Sequence, residues 1–598
     1  QSNYPFCKSI TPLLYLRELL INSNMRSSIT ALLGLLLVSS SAGVVVDSYP
    51  LHTWDIDSES DSSLIWSSSD NWTDGSVPAT DGSAVAVFPG KFGGDFDMDE
   101  ISIEVVTDID LRAIRFDEQA FYSFDSFSES STLRLREAIS IESGEYDGEV
   151  YFGTGITFIA DGAGIIVGVG YGGEIEIAGN FLLGAEAQLQ ITGGGVFLLS
   201  GNNSPGSMGG SVFVEEGYLG LGQNTSAGGS TIHLGDAENP GSGNVGLVAV
   251  DGDRNITNSI YVHGHFETQE DYDDKNELNL EGMVTFTSDT DLYNYGGLLN
   301  FFGGVAETSA GTTLDIWADE PVIFSSANGL TGGINVQDGV VLIADYSALP
   351  DVSPGSFFSS ANEDTYIGLM IEDSTNRDPA TSEFLGWFDR TKFTGTIGFD
   401  TDPGSSGGPN SYAADIDLTG FTNGRIGSVT QAEITGTIVP SGANYQFGSG
   451  GGVLQVGSLL EDPQPASTST NTPGLIVAAV TEPTSRGIDA ESTADDPLTV
   501  FINNSANSFT GTVTATHSAV IFGNVPGALP TSATLKPQEG GYIGLQDTTR
   551  SIASFLAQFD PTIDRGLFGF DSQYPHSNRV ICGVFVLTAF SASDPAFY

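Results

Sequence analysis

Carboxylates are the chain's most abundant chemical resource, with 76 Asp and Glu against 19 Lys and Arg in 598 residues. Four short runs bring acids close enough to share a cation: Asp95-Phe96-Asp97-Met98-Asp99-Glu100, Asp108 with Asp110, Asp251 with Asp253, and Asp271-Tyr272-Asp273-Asp274. Ca²⁺ is held by carboxylate and carbonyl oxygens. Asp251 and Asp253 are the best-placed candidates for it, because Gly252 between them permits a tight turn. None of the four runs fits a helix-bounded Ca²⁺ loop or the Gly-Gly-x-Gly-x-Asp nonapeptide. Apart from Ca²⁺ no cofactor is expected. His263-Gly264-His265 is expected to set two imidazoles on one strand face, the start of a metal site with no evident third ligand. A glycoside hydrolase needs two carboxylates on one wall at a set separation. A lyase acting on uronates also needs cations to neutralise its substrate, and cations are scarce here. No His-Glu-x-x-His, Gly-x-Ser-x-Gly or Gly-rich Lys loop occurs. Gly168-Val169-Gly170-Tyr171-Gly172-Gly173 is not followed by a helical pattern, so it reads as a corner and not as a dinucleotide loop. No residue is assigned a catalytic role.

The elements that must carry these residues announce themselves by repetition. Asn202-Asn203 leads to Gly210-Ser211-Val212-Phe213-Val214, a corner at Gly217, then Tyr218-Leu219-Gly220-Leu221. Asn328 leads to Gly333-Ile334-Asn335-Val336, a corner at Gly339, then Val340-Val341-Leu342-Ile343. Asn507 leads to Gly511-Thr512-Val513-Thr514-Ala515, a corner at Ser518, then Ala519-Val520-Ile521-Phe522. Alternation places Val212 and Val214, Ile334 and Val336, and Val513 and Ala515 on one face of each strand. The corners call for residues tolerant of unusual backbone angles, which suits Gly217 and Gly339 better than Ser518. A unit this small buries its apolar face only against a neighbouring copy, which is how a solenoid holds together. With 76 glycines, 39% hydrophobic residues and no sustained helical period past the N-terminus, the chain is expected to be all-β. The expected architecture is an elongated right-handed parallel β-helix, or β-solenoid, of Gly/Asn-rich repeats. At 20–25 residues per turn and about 4.8 Å between strands, it would be a rod on the order of 100 Å long.

A longer duplication covers the C-terminal part. Tyr366-Ile367-Gly368-Leu369 returns as Tyr542-Ile543-Gly544-Leu545. Phe384-Leu385-Gly386-Trp387-Phe388-Asp389 returns as Phe555-Leu556-Ala557-Gln558-Phe559-Asp560, and Gly398-Phe399-Asp400 as Gly569-Phe570-Asp571. The Phe-Leu-x-x-Phe-Asp blocks read as a turn or two of helix capping a rung. The chain divides into a leader (1–24), a secretory signal (25–42) and an N-terminal cap with the first strands (43–130). A solenoid body (131–320), module A (321–460), module B (461–575) and a C-terminal tail (576–598) follow. The signal opens with Met25-Arg26, continues through the apolar run Ile29–Val38 and ends in Ser40 and Ala42, so a mature chain is expected to begin near Gly43. The tail is either cut short or a final strand, and its apolar run is too short to span a bilayer. Cys7 and Cys582 stand outside the repetitive body, which therefore relies on hydrogen-bonded ladders instead of disulfides.

Trp54-Asp55, Asn71-Trp72, Val77-Pro78 and Val85-Ala86-Val87-Phe88 resemble the start of bacterial extracellular proteins with autotransporter-associated β-strand repeats. Gly194–Asn203 and Asn444–Val456 are similar to the repeat itself. The usual Tyr-Thr-Gly-Gly-Thr-Thr between its strands is here Ser204-Pro205-Gly206-Ser207-Met208-Gly209-Gly210. The resemblance implies a passenger-type β-solenoid at the cell surface. Trp54, Trp66 and Trp72 are expected to cover the solenoid's end, the alternative being a carbohydrate-stacking face. The net charge of −57 disfavours binding to nucleic acid or anionic lipid. The expected role is a secreted or surface-exposed structural or adhesive protein, extracellular and non-catalytic. Its expected partners are extracellular glycans or cell-surface and matrix proteins, with no membrane insertion. Two alternatives stay open: a carbohydrate-active β-helix enzyme, and a Ca²⁺-stabilised surface-layer or matrix protein.

Overall fold

The short alternating segments do form strands, and they pair side by side in parallel. The computed structural model describes residues 49–55, 64–90, 101–117, 121–126, 130–142, 148–161, 163–271, 275–349, 355–405, 407–462, 475–478, 498–560 and 566–570. Within them the chain winds a β-solenoid of about 17 turns. The leader, the signal, both cysteines, Asp95–Glu100 and the tail lie outside the described residues.

Among the described residues a first sheet of 13 strands runs from Leu51–Thr53 to Val305–Glu307. A second, of 12 strands, runs from Ile101–Glu104 to Phe358–Ser359, and a third, also of 12, from Arg254–Ile256 to Thr534–Gln538. A fourth, of seven strands, opens at Asn410–Tyr412 and ends at Leu567–Phe570. The walls of the solenoid are thus handed from one sheet to the next along the axis. Registry stacks like on like. Val212, Ile232, Ile260, Val284 and Val305 form one inward line, and Val322, Val341, Ile367, Ile397 and Ile426 another. These lines merge into one apolar core that runs from Trp54 to Phe555. Each fully buried side chain of this kind contributes about 1.5–3 kcal/mol.

The three motif copies sit at three different corners. Ser211–Val214 and Gly217–Leu221 join the first sheet to the second. Gly333–Asp338 and Val340–Ile343 join the second to the third, and Thr512–Thr516 and Ala519–Phe522 the third to the fourth. Gly217 and Gly339 adopt φ +90° and +88° as the corner requires. In the third copy the left-handed residue is His517 (φ +50°) and not Ser518. The corner there has two residues between its strands, and the first of them makes the turn.

At the N-terminal end Trp54, Trp66 and Trp72 are 1–2% exposed and pack edge-to-face, 5.1 Å and 5.2 Å between centroids, above Phe88. Trp72 Nε1 donates to the Trp66 carbonyl at 3.1 Å. They close the core and leave no ring face for a sugar.

Two helices interrupt the ladder where the duplicated Phe-Leu blocks stand. Helix α1 (Ser374–Gly386) is capped by the Asp373 carboxylate, which accepts from Thr375 N–H at 2.9 Å. Helix α2 (Ile552–Leu556) is capped by Ser551 Oγ. Phe384 and Phe555 face the core, while Phe388 and Phe559 return to the ladder by bridging Phe358 and Leu535 in parallel. The flanking strands explain the remaining duplicated letters. Tyr366–Leu369 pairs with Thr396–Phe399, and Tyr542–Leu545 with Leu567–Phe570. In each pair the tyrosine ring lies where a Cβ at Gly398 or Gly569 would collide with it.

The Asp400 carboxylate, just after Thr396–Phe399, is fully buried. It accepts from Tyr366 OH (2.6 Å), Val429 N–H (2.9 Å), Thr430 N–H (3.1 Å) and Thr430 Oγ1 (3.0 Å). Burial pushes its pKa up, against the pull of these donors. Arg377, on α1, donates to the Ile371 carbonyl (2.8 Å) and to Asn410 Oδ1 (2.7 Å), tying the helix to the first strand of the fourth sheet.

Candidate functional site

The corner from Val245–Ala249 in the second sheet to Arg254–Ile256 in the third carries Asp251 (φ +59°), Gly252 (φ +120°) and Asp253. The tight turn expected of Gly252 is present. Asp253 Oδ1 accepts the N–H of Glu277, and Asp271 Oδ2 accepts the N–H of Asp251, both at 2.9 Å. Arg254 is 9% exposed beneath them. Its guanidinium donates to the carbonyls of Leu221 (2.9 Å), Asp253 (2.8 Å) and Val250. Burial pulls its pKa down, and the charges of Asp251, Asp253 and Asp271 oppose that shift. These acids therefore hold turn backbone and balance a buried cation. Among the described residues no group of three or more His, Cys, Asp or Glu is arranged to hold a metal ion. Residues 272–274 lie outside them. The Asp108–Asp110 pair is also engaged: Asp108 accepts Thr132 N–H at 2.9 Å, and Asp110 pairs with Arg136 at 2.7 Å.

His263 and His265 do not share a strand face, contrary to the expectation from their spacing. Gly264 (φ +90°) is a corner, with Ile260–Val262 before it in the first sheet and His265–Gln269 after it in the second. His265 stacks on Tyr293 at 5.3 Å, with Nε2 3.5 Å from the buried Glu267. His263 instead meets His233, whose Nδ1 lies 3.4 Å from His263 Nε2. His233 was not singled out by the sequence, although Thr231-Ile232-His233-Leu234 alternates so as to point it outward.

The outer face of the second sheet gathers most of the remaining chemistry. Glu149, Glu174, Val196, Tyr218, Gly246, Glu267, Tyr293 and Trp317 lie in one register line across successive strands. Glu174 is pushed up to about 7, first by burial and then by the charges of Glu149, Glu176, Asp271 and Asp251. Glu176 is raised by burial, against a hydrogen bond from Ser200. A glutamic acid whose pKa is raised in this way can exchange protons with a ligand. Farther along, Tyr293 is enclosed by His265 and by Trp317 (4.7 Å, 10° between planes), so a sugar finds no free face on it. Beside Trp317, Asn335 donates to Asp315 (2.6 Å) and Ser359 to Asn335 (3.0 Å) along an open groove of about 350 Å³ that Lys392 also lines. The described helices include none long and apolar enough to cross a membrane.

No family model matches the chain, and neither the curated proteins nor the solved structures include a match. The β-solenoid therefore stands on the geometry itself.

Proposed function

We propose that this chain is the rigid rod of a secreted or surface-displayed protein, structural or adhesive in role, resembling a passenger of the autotransporter-associated repeat type. The observation that carries the reading is the continuous core from Trp54 to Phe555, closed at its start by three tryptophans. About 17 turns spaced about 4.8 Å apart make a stiff body about 80 Å long. Contacts with extracellular glycans or matrix proteins would fall on its outer faces, where Tyr171 is 81% exposed and the Asp315–Asn335–Ser359 ladder lines a groove. Two experiments test this reading. N-terminal sequencing of protein exported from a bacterial host is expected to begin near Gly43, and retention of the uncleaved chain inside the cell would refute export. Binding of the purified rod to a glycan array and to matrix-coated surfaces is expected without turnover.

A second reading is favoured by Glu174 alone. Its raised pKa and its in-register neighbour Glu149 provide an acid and a carboxylate on adjacent strands, the raw material of a glycoside hydrolase. Release of reducing sugar from any member of a glycan panel, abolished by Glu174→Gln, would establish that reading and displace the first.

A further inference from the structure

The two ends of the solenoid are finished differently. At the start, three tryptophans at 1–2% exposure close the core. At the other end the fourth sheet stops at Leu567–Phe570, and among the described residues no strand pairs beyond it. Its inward residues Phe568 and Phe570 continue the lines of Ile543 and Leu545. Those predecessors are 0% and 2% exposed, whereas Phe568 and Phe570 are only half-buried and Leu567 is 36% exposed. Phe559 lies 4.8 Å from Phe568, and Phe555 lies 5.2 Å from Phe570, so four rings gather at this end of the core. Leu567 N–H donates back to the Gly541 carbonyl at 2.8 Å, and backbone groups alternate sides along a strand. The N–H groups of Phe568 and Phe570 therefore point to the next position of the ladder, a template for one more strand.

The sequence that follows supplies a strand of matching pattern. Residues 571–598 lie outside the described residues, and Val580–Phe590 among them carries no Asp, Glu, Lys or Arg. Leu587-Thr588-Ala589-Phe590 repeats the Leu-x-small-Phe pattern of Leu567-Phe568-Gly569-Phe570 at a spacing of 20 residues. The same sheet uses that spacing where Thr499 pairs with Ala519 and Val500 with Val520, and the first sheet where Val212 pairs with Ile232. Residues 571–586 give more than the dozen or so residues that a parallel crossover needs. In this register Phe590 continues the line of Leu545 and Phe570, and Thr588 that of Ile543 and Phe568. Gly569 is kept free of a Cβ by the Tyr542 ring of the preceding strand. Leu567 stands in that tyrosine's place one turn on, so the demand for glycine lapses and Ala589 can follow.

We infer that the open edge of Leu567–Phe570 is a docking surface for this chain's own Leu587–Phe590, paired in parallel with Leu587 opposite Leu567, and that this strand is the cover of the rod's C-terminal end. The rival occupant is a second copy meeting the first end to end. A net charge of −57 on each chain opposes that encounter. A segment of the same chain is instead held beside the edge at high effective concentration. Once covered, the edge no longer templates another chain, so the segment keeps rods from joining at this end.

Hydrogen exchange and cross-linking on the full chain test the assignment. In the parent, the amides of Phe568 and Phe570 are expected to be protected to the same degree at low and high protein concentration. Phe590→Asp puts a charge into the core line and is expected to speed exchange at both amides more than about tenfold, with Thr499–Ile502 unchanged. Register is read by a disulfide in a Cys7→Ser, Cys582→Ser background. Leu567→Cys with Leu587→Cys is expected to close within one chain under mild oxidation. Facing residues of adjacent strands stand about 4.8 Å apart, inside the range of about 4.4–6.8 Å that a disulfide spans. Leu567→Cys with Phe585→Cys, two residues out of register, is expected to close at least about tenfold more slowly. Fast exchange at Phe568 and Phe570 in the parent, or exchange that Phe590→Asp leaves unchanged, would overturn the assignment. Protection that rises with protein concentration would also overturn it and identify a second copy as the cover. If Phe590→Asp fails to fold, the disulfides decide: equal closure of the two pairs, or none in either, rejects the proposed strand.

Discussion

Glu174 shows how this acidic surface trades stability for charge. Its folded pKa is raised, so the folded chain holds the proton more tightly than the unfolded one. The stability it contributes is present below the ordinary glutamate pKa and is lost as pH rises through the window from that value to about 7. Glu174→Gln removes the loss. The variant is expected to be more stable than the parent at pH 8 by about 1–2 kcal/mol after allowance for solvent screening, and no more stable at pH 4. Denaturant midpoints of both proteins across that pH range check the sign, and a gain largest at acid pH would contradict it. His263 makes a related point: its partner is chosen by the Gly264 corner, which turns it away from the histidine two residues on and toward one 30 residues back.

At the scale of elements, corners and buried carboxylates carry the specificity. Gly339 turns the chain from the second sheet to the third at φ +88°, and a Cβ there would overlap the Ala318 carbonyl. Gly339→Val is expected to cost about 2 kcal/mol or more, from left-handed strain together with the clash. Guanidinium unfolding would register it, and an unchanged midpoint would refute the strain argument. The Asp400 carboxylate ties Tyr366 to the backbone of Val429 and Thr430. Asp400→Ala would leave the N–H groups of Val429 and Thr430 and the Tyr366 hydroxyl without their acceptor, at about 3–5 kcal/mol. Hydrogen exchange is expected to accelerate at Val429 and Thr430 and along Tyr366–Leu369, while strands near the N-terminal cap stay protected. Uniform acceleration along the whole chain would instead mean that the solenoid unfolds as one unit.

For the molecule as a whole, a net charge of −57 on a rod sets a self-repulsion that salt relieves. Raising NaCl from about 0.01 to about 0.15 M shortens the screening length from about 30 to about 8 Å, and the melting temperature is expected to climb with it. CaCl₂ at matched ionic strength separates screening from a site. An extra rise with Ca²⁺ that Asp253→Asn abolishes would identify the Asp251–Asp253–Asp271 corner as a Ca²⁺ site, whereas equal rises would show that those carboxylates serve the backbone and Arg254 only.

The all-β solenoid could be read from the residues themselves, because alternation such as Val212-Phe213-Val214 forces one face inward and a strand so short can bury that face only by stacking on its like. The same holds for the cap, since three tryptophans ahead of the first repeats have no comparable apolar surface to cover. The duplicated blocks read as a turn or two of helix; the second matches with five residues, whereas the first only ends a 13-residue helix that starts at Ser374. Tertiary structure decided what lies opposite what. One repeat motif serves three different corners, so its sequence encodes a bend and not a wall. The meeting of His233 with His263, the line of Glu149 with Glu174, and the convergence of Tyr366, Val429 and Thr430 on Asp400 depend on how many residues each intervening turn consumes. That number varies from turn to turn: Val212 pairs with Ile232, but Ile367 pairs with Ile397. A local pattern sets which side of a strand a residue faces, and only the summed lengths of the loops set its neighbour across the ladder.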